Sequence, residues 1–316
     1  GEGLVPVTIE NDGTVKYADT SKKWYNYCDK IWANAIILED GANYKVGDTI
    51  SETDIQSYFV WIPKYKYKLW NVDTSSRGVH EIEIVFDEND TIDIEGVSCK
   101  TPMTSGESGN CNNGEYMTHP AFISMGVNGF WVGKFETGYK GATSASTAQA
   151  NANNTSKVMI KPNVYSWRNI TVYNAFLASY NYKRNLDSHM MKNTEWGAVA
   201  YLSHSKYGIN TEININNNSN YKTGYSALPS TNQQTYPGTS GDDATYNSAY
   251  NTEVGYLAST SGNISGVYDM SGGSWEYMSS YISGNLGSSG FSITTLANHD
   301  NKYFDVYNAS SAISTY

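Results

Sequence analysis

A short stretch late in the chain, from Gly266 to Met278, constrains the fold more than any other. It reads Gly-Val-Tyr-Asp-Met-Ser-Gly-Gly-Ser-Trp-Glu-Tyr-Met, so two adjacent glycines lie between aromatic side chains. Glycine suits places where the backbone turns tightly or takes a left-handed conformation, and aromatic side chains bury large apolar areas. The stretch therefore predicts a turn, with Trp275 and Tyr277 as packing residues.

The same stretch resembles the signature G-L-Y-D-M-x-G-N-V-W-E-W of the sulfatase-modifying-factor family, whose formylglycine-generating-enzyme-like domains have a C-type-lectin fold. Residues 129–137 are similar to the family's strand F-Y-I-G-K-Y-E-V-T, and residues 194–201 to its helix T-E-A-E-W-E-Y-A-A. The resemblance spans roughly residues 129–282. It implies an α+β protein in which a β-rich N-terminal region (1–118) precedes a C-type-lectin-like domain (119–316) of the sulfatase-modifying-factor type.

Alternating side chains at the start of the chain predict a β-hairpin. Val5, Val7 and Ile9 alternate with other residues, and Asp12-Gly13 follows them as a turn signal. We expect the chain to reverse at this point and return as a second strand.

Further along the chain, the pattern predicts strands, loops and helices in turn. Residues 121–123 and 129–137 read as strands, and residues 141–156 have the low-complexity composition of a loop. Thr171 is a candidate N-cap for a helix, and a second helix is expected to start at Asn193.

The charge balance argues against some partners. A net charge of −10 disfavours nucleic acid and anionic membranes, because both need clustered Lys and Arg. Lys64, Lys66 and Lys68 form the one basic cluster, and residues 80–87 carry acidic side chains in the complementary alternation. We interpret these segments as neighbouring strands with cross-strand charge pairs; a phosphate or polyanion site is the alternative.

The cysteines and histidines argue against the chemistry of the resembled family. Its oxidising enzymes use a copper-binding cysteine pair late in the domain, and here no cysteine follows Cys111. The histidines are isolated, without the close pairing of many metal sites. Cys99 and Cys111 could close a loop as a disulfide, whereas Cys28 reads as a buried thiol. We therefore predict that the protein is not an enzyme.

A polar segment, residues 206–251, is built almost wholly of Asn, Ser, Thr, Gly and Tyr. In C-type-lectin folds the equivalent region is a long excursion that often carries binding. Tyrosine supplies rigid contact area, and Asn and Ser supply adaptable hydrogen bonds, as in antibody paratopes. The candidate ligand contacts are Tyr207, Tyr221, Tyr225, Tyr236, Tyr246 and Tyr250. The alternative is a solvated loop.

Calcium is the cofactor for which the resemblance makes the best case. Family domains often bind Ca²⁺ through oxygen ligands near the G-N-V-W-E-W turn. Glu276 keeps the family's glutamate, but Gly273 replaces its asparagine, so one ligand is lost. Asp269 and Asn263 are further candidate donors. The alternative is that the acidic side chains accept backbone N–H bonds within the turn.

The sequence also bears on localisation and partners. No apolar run reaches the ~20 residues of a membrane span, so we expect no direct membrane insertion. The family's closing strands have no clear counterpart after Met278. Either these strands are divergent, or the chain is truncated, or another chain supplies the missing strand by strand addition.

Similar bacterial domains serve as display scaffolds. We therefore expect an extracellular, non-enzymatic binding protein on a bacterial surface appendage, such as a pilus, or on a phage virion, with a protein or glycan ligand. The alternative is a structural subunit that self-assembles into an extracellular filament or capsid.

Overall fold

The computed structural model of the protein describes residues 3–69, 80–86, 98–99, 116–227 and 247–308. Within these ranges the fold is mixed α/β, with a strongly curled antiparallel sheet and few helices. The helices are α1 (Pro120–Met125), α2 (Val172–Tyr182), α3 (Asn193–Ser203) and α4 (Ile293–Leu296). The strands are β1 (Val5–Ile9), β2 (Val15–Tyr17), β3 (Asn34–Leu38), β4 (Thr49–Ile50), β5 (Ile55–Pro63), β6 (Tyr65–Lys68), β7 (Glu83–Phe86), β8 (Ser98–Cys99), β9 (Tyr116–Thr118), β10 (Gly129–Gly133), β11 (Gly138–Tyr139), β12 (Val158–Met159), β13 (Tyr225–Ala227), β14 (Asn247–Ala249), β15 (Ser280–Ile282) and β16 (Asp305–Tyr307).

The main sheet has six antiparallel strands in the order β10-β5-β3-β1-β2-β4. The predicted hairpin is confirmed: β1 pairs with β2, and Gly13 in the intervening turn has φ 92°. On the other side, β5 pairs with β10 along its second half. The sheet thus joins strands from both sides of residue 118, so the boundary that we expected there does not separate two sheets.

The first helix corrects a strand prediction. Residues 121–123 lie in α1, because Pro120 occupies its first turn and the His119 side chain caps it by accepting from Ala121 N. Gly126 ends the helix in a left-handed conformation. A three-residue apolar run does not distinguish strand from buried helix, and the capping residues on either side determine the outcome here.

The two longer helices begin where the sequence predicts. Thr171 is the N-cap of α2, and its side chain accepts from Asn174 N. Helix α3 starts at Asn193, and Glu195 in its first turn accepts a hydrogen bond from Lys192 N. Residues 141–154 are mostly turns, bends and irregular backbone, as expected of a loop, and a short 3-10 helix (Thr155–Lys157) follows.

The predicted charge-paired strands are also confirmed. Strand β6 pairs antiparallel with β7, which places Lys68 opposite Glu83. The Nζ of Lys68 lies 2.9 Å from a Glu83 carboxylate oxygen. This four-stranded sheet has the order β7-β6-β9-β8.

The main core lies between the sheets and α3. Trp32 is its largest fully buried side chain, and its indole N–H donates to the carbonyl of Tyr207 at 2.8 Å. Cys28 does not belong to this core: it is exposed, which corrects the expected buried thiol. The side chain of Cys99 and all of Cys111 lie outside the described residues, as does the disulfide suggested for them. No helix in the described ranges is both long and apolar enough to span a bilayer.

Candidate functional site

The stretch from Gly266 to Met278 enters the interior beside the end of β10. The backbone N–H of Tyr268 donates to the carbonyl of Lys134 at 2.8 Å, and both Val267 and Tyr268 are buried. The first half of the stretch is therefore a packed segment that leads into the turn.

Lys134 fastens this segment from inside the protein. Its side chain is fully buried, and its Nζ donates to the carbonyls of Ile264 at 2.6 Å and Gly266 at 2.7 Å. The ring of Tyr268 lies 5.4 Å from the same nitrogen. Burial lowers the pKa of this amine well below its usual value.

Asp269 is the residue on which the turn is built. It is 2% exposed, and its φ of 62° is a left-handed conformation that Asp tolerates better than most residues. One carboxylate oxygen accepts from Asn216 Nδ2 at 2.8 Å, and the other from Glu136 N at 3.1 Å. Gly224 N lies within 3.0 Å of both oxygens. The carboxylate thus joins three segments that are distant in sequence.

Glu136 is a second carboxylate beneath the turn, at 7% exposure. Its Oε1 accepts from the backbone N–H of Ser274 at 2.7 Å, and its Oε2 accepts from the hydroxyl of Ser166. Gly273 allows this approach, because a Cβ at that position would lie 2.3 Å from Glu136 Oε1. Here glycine is required both by its φ of 67° and by the closeness of the carboxylate.

The carboxylates of Glu136, Asp269 and Glu276 influence each other. Burial raises the pKa of Glu136 well above its usual range, and the charges of Asp269 and Glu276 raise it further. Burial also raises the pKa of Asp269, against its hydrogen bonds. For Glu276 desolvation and the charge of Asp269 raise the pKa, but the residue is exposed, so solvent screening moderates the rise. Among the described residues none of the three takes part in an ion pair.

The aromatic residues after the glycines occupy unexpected positions. Trp275 is 95% exposed and Tyr277 is 46% exposed, so neither is the packing residue that we predicted. The turn at Gly272 and Gly273 directs the chain to the surface before Trp275, because the space beneath it is taken by Glu136 and by the backbone of Asn216. The side chain of Trp196, not that of Trp275, opposes the rise in the pKa of Glu276 by hydrogen bonding.

The expected calcium ligands do not share one set of contacts. Asn263 accepts from Ser265 N and donates to the carbonyl of Lys30, whereas Asp269 contacts Asn216, Gly224 and Glu136 N. In the part of the chain that the structure describes, no group of three His, Cys, Asp or Glu residues is placed to hold a metal ion. Asp269 accepts backbone N–H bonds, as in the alternative that we considered. Calcium binding remains a prediction of the resemblance, and the occupied oxygens of Asp269 count against it.

The polar segment is partly interior. Its buried polar side chains in residues 206–227 are Asn214, Asn216, Asn217, Asn218, Thr223 and Ser226. Asn216 donates both to Asp269 and to the carbonyl of Lys222, and Thr223 donates to the carbonyl of Lys161 at 2.6 Å. Residues 206–227 are therefore held to the rest of the fold by side-chain hydrogen bonds, and are not a loop solvated throughout.

The candidate tyrosines lie in different environments. Tyr207 is 1% exposed and packs against Phe86 at 4.7 Å between ring centroids, which differs from the surface position that we expected. Tyr250 is half-buried against Phe135.

Tyr221 and Tyr225 are half-buried at the surface. The ring of Tyr221 stacks on the guanidinium of Arg168 at 3.8 Å, and the hydroxyl of Tyr225 donates to Asn163 at 2.9 Å. Tyr236 and Tyr246 lie outside the described residues.

The sequence analysis missed the two residues that shape the base of this site. Glu136 lies within the stretch that resembles the family strand, so that resemblance was the available signal. Asn216 carried none, because it is one asparagine among many and its role depends on Asp269, 53 residues away.

The chain matches no known protein-family profile, no curated protein and no solved structure.

Proposed function

We propose that the protein is a C-type-lectin-like binding protein, displayed outside the cell on a bacterial surface appendage or a phage virion, and that it acts without catalysis. The observation that carries this proposal is the division of residues 206–227 of the polar segment into a buried base and a surface layer. Asn216 and Thr223 are bonded into the interior, while Tyr221 and Tyr225 keep part of their rings at the surface. A rigid scaffold that presents polar and aromatic side chains is the usual basis of a binding surface.

The held tyrosines suit a protein or glycan ligand. Arg168 and Asn163 restrict the rings of Tyr221 and Tyr225 before any ligand arrives. Restricting a side chain in advance lowers the entropy that binding would otherwise cost, by about 0.5–1.5 kcal/mol for each side chain.

Binding to protein and glycan arrays tests the proposal. We expect the full chain to bind at least one ligand with a micromolar dissociation constant, and Tyr221→Ser and Tyr225→Ser each to weaken binding by about tenfold. Tyr44→Ser, which changes a half-buried tyrosine outside the polar segment, is the matched control. Binding that neither variant weakens would contradict the proposal.

A structural subunit of a filament or capsid is the second candidate, because several large apolar side chains face solvent. Trp275, Ile293 and Val46 are the most exposed of these among the described residues. Exposed apolar area is typical of interfaces between copies. Reversible association at micromolar concentration in sedimentation velocity, together with no ligand on the arrays, would favour this function over the first.

A further inference from the structure

Trp275 is the most exposed large apolar side chain in the described ranges. Tyr277 is also exposed, and Glu276 lies between them in the chain and is exposed too. An indole in water contributes little to folding, since apolar side chains stabilise a fold by leaving water. Two exposed aromatic residues on either side of a carboxylate are therefore better explained by a ligand than by packing.

The backbone that carries Trp275 is fixed at both ends. Gly273 N donates to the carbonyl of Asn216 at 2.7 Å, and Ser274 N donates to Glu136 at 2.7 Å. Beyond the turn, Ser279 N donates to the carbonyl of Met191 at 2.8 Å. The indole thus stands on an anchored segment, which reduces the ordering that a ligand would have to impose.

The charge next to Trp275 comes from an exposed carboxylate. Glu276 is adjacent to Trp275 in the chain and exposed, so its carboxylate is the one that a cation would meet first. Burial raises the pKa of Asp269 and of Glu136, so these two carboxyls contribute less charge. None of these carboxylates forms an ion pair within the described residues. The chain as a whole carries a formal charge of −10. A cation that approaches Trp275 would meet attraction from Glu276 and from the net charge of the whole protein.

We propose that Trp275, Tyr277 and Glu276 form a recognition site for the guanidinium or ammonium group of an Arg or Lys side chain on a partner protein. A cation over the face of an aromatic ring is attracted by the ring quadrupole, and tryptophan gives the strongest such contact. The neighbouring carboxylate adds Coulomb attraction. This inference rests on the proposed binding function and names the chemistry of one ligand group.

A pair of peptides separates charge from shape. The first probe is a capped peptide with three arginines separated by glycines, and the second has citrulline, which is neutral and nearly isosteric, at each arginine position. Binding is followed through the indole N–H signals in nitrogen-15 NMR spectra, with the Trp275 signal assigned by Trp275→Phe. We expect the arginine peptide to shift this signal and to bind at least about fivefold more tightly than the citrulline peptide.

Three variants test the roles of the residues. Trp275→Leu keeps an apolar side chain but removes the ring, and it should weaken binding of the arginine peptide by about fivefold. Glu276→Gln keeps the shape of the side chain but removes its charge. It should weaken binding of the arginine peptide by about threefold and leave binding of the citrulline peptide unchanged. Ile293→Ala changes another exposed apolar side chain and should leave the affinity for both peptides unchanged. Near-ultraviolet circular dichroism checks that each variant keeps the fold.

Several results would overturn the inference. These are equal affinity for the two peptides, a neutral glucose trisaccharide that shifts the Trp275 signal as strongly, or a Trp275 indole that acrylamide cannot quench. If the peptides fail while array binding persists and remains sensitive to Tyr221→Ser, only this inference fails. If both kinds of binding are absent, the proposed binding function fails with it.

Discussion

Replacing Asp269 by asparagine tests whether a buried carboxylate beneath the turn destabilises the fold at neutral pH. Burial raises the pKa of Asp269 from 3.8 to about 6, even though several hydrogen bonds oppose this rise. The folded state then holds its proton more tightly than the unfolded state does. The contribution of this carboxyl to stability is therefore greatest below pH 3.8 and is lost as the pH rises towards about 6.

The size of the effect follows from the two pKa values. One pH unit of difference corresponds to about 1.36 kcal/mol, so complete ionisation costs the folded state roughly 3 kcal/mol, of which about 0.6 kcal/mol is already lost at pH 4. Asp269→Asn cannot ionise. Its loss of the hydrogen bond from Glu136 N should cost a roughly constant 1–3 kcal/mol at every pH. From pH 4 to pH 7.5, the unfolding free energy of the wild type should fall by about 2.4 kcal/mol relative to the variant.

Urea unfolding of both proteins at pH 4 and pH 7.5 measures this difference. Removing Asp269 also relieves Glu136 and Glu276 of a like charge, which adds to the effect with the same sign. Glu83→Gln is the control with the opposite sign, because hydrogen bonds from Tyr116 and Lys68 lower the pKa of Glu83. A difference between wild type and Asp269→Asn that stays constant or grows with pH would refute the reasoning.

Three further predictions concern the same region and its surroundings. Gly273→Ala should destabilise the protein by about 3 kcal/mol in thermal denaturation, since its Cβ would meet the carboxylate of Glu136. The control Gly284→Ala, also at positive φ but in open space, should cost about 1 kcal/mol. Equal costs for the two variants would contradict this prediction. Burial opposes protonation of His189, but the carboxylate of Glu195, 2.9 Å away, prevails and raises its pKa. The stability from this pair should thus be complete below pH 6.5 and lost at higher pH, so the melting temperature gap between wild type and His189→Gln should be wider at pH 6 than at pH 9. Sedimentation velocity should give the same coefficient with calcium and with chelator, because N–H donors already occupy both carboxylate oxygens of Asp269; compaction by calcium would restore the metal site.

Local signals predicted the parts of the fold that local physics determines. The hairpin at Gly13, the N-cap at Thr171 and the pairing of Lys68 with Glu83 each depend on a few neighbouring residues or on simple alternation. The strand predicted for residues 121–123 was wrong. These residues lie in α1, whose apolar run is short and whose start depends on the His119 cap.

Features that depend on remote partners were not predictable in this way. The burial of Asn216 requires Asp269 and the carbonyl of Lys222, and polarity alone indicated a position in water. Trp275 was expected to pack because aromatic residues usually do, yet the space beneath the turn is filled by Glu136, which the chain contributes from more than a hundred residues earlier. The type of a side chain does not show whether the space that it would occupy in the core is already filled by residues distant in the sequence.

The position of Asp269 also determines the order in which the protein can mature during synthesis. Its hydrogen bonds reach back 45 residues to Gly224, 53 to Asn216 and 133 to Glu136 N. Until Asp269 leaves the ribosome, Asn216 and Gly224 cannot donate their hydrogen bonds to its carboxylate. In the same way, Glu136 cannot accept its hydrogen bond from Ser274 N until Ser274 has been synthesised. Contacts this far apart form slowly, because a long loop must close before they contribute. Residues 216–224, which hold part of the proposed binding surface, are thus among the last of the described residues to reach their final contacts.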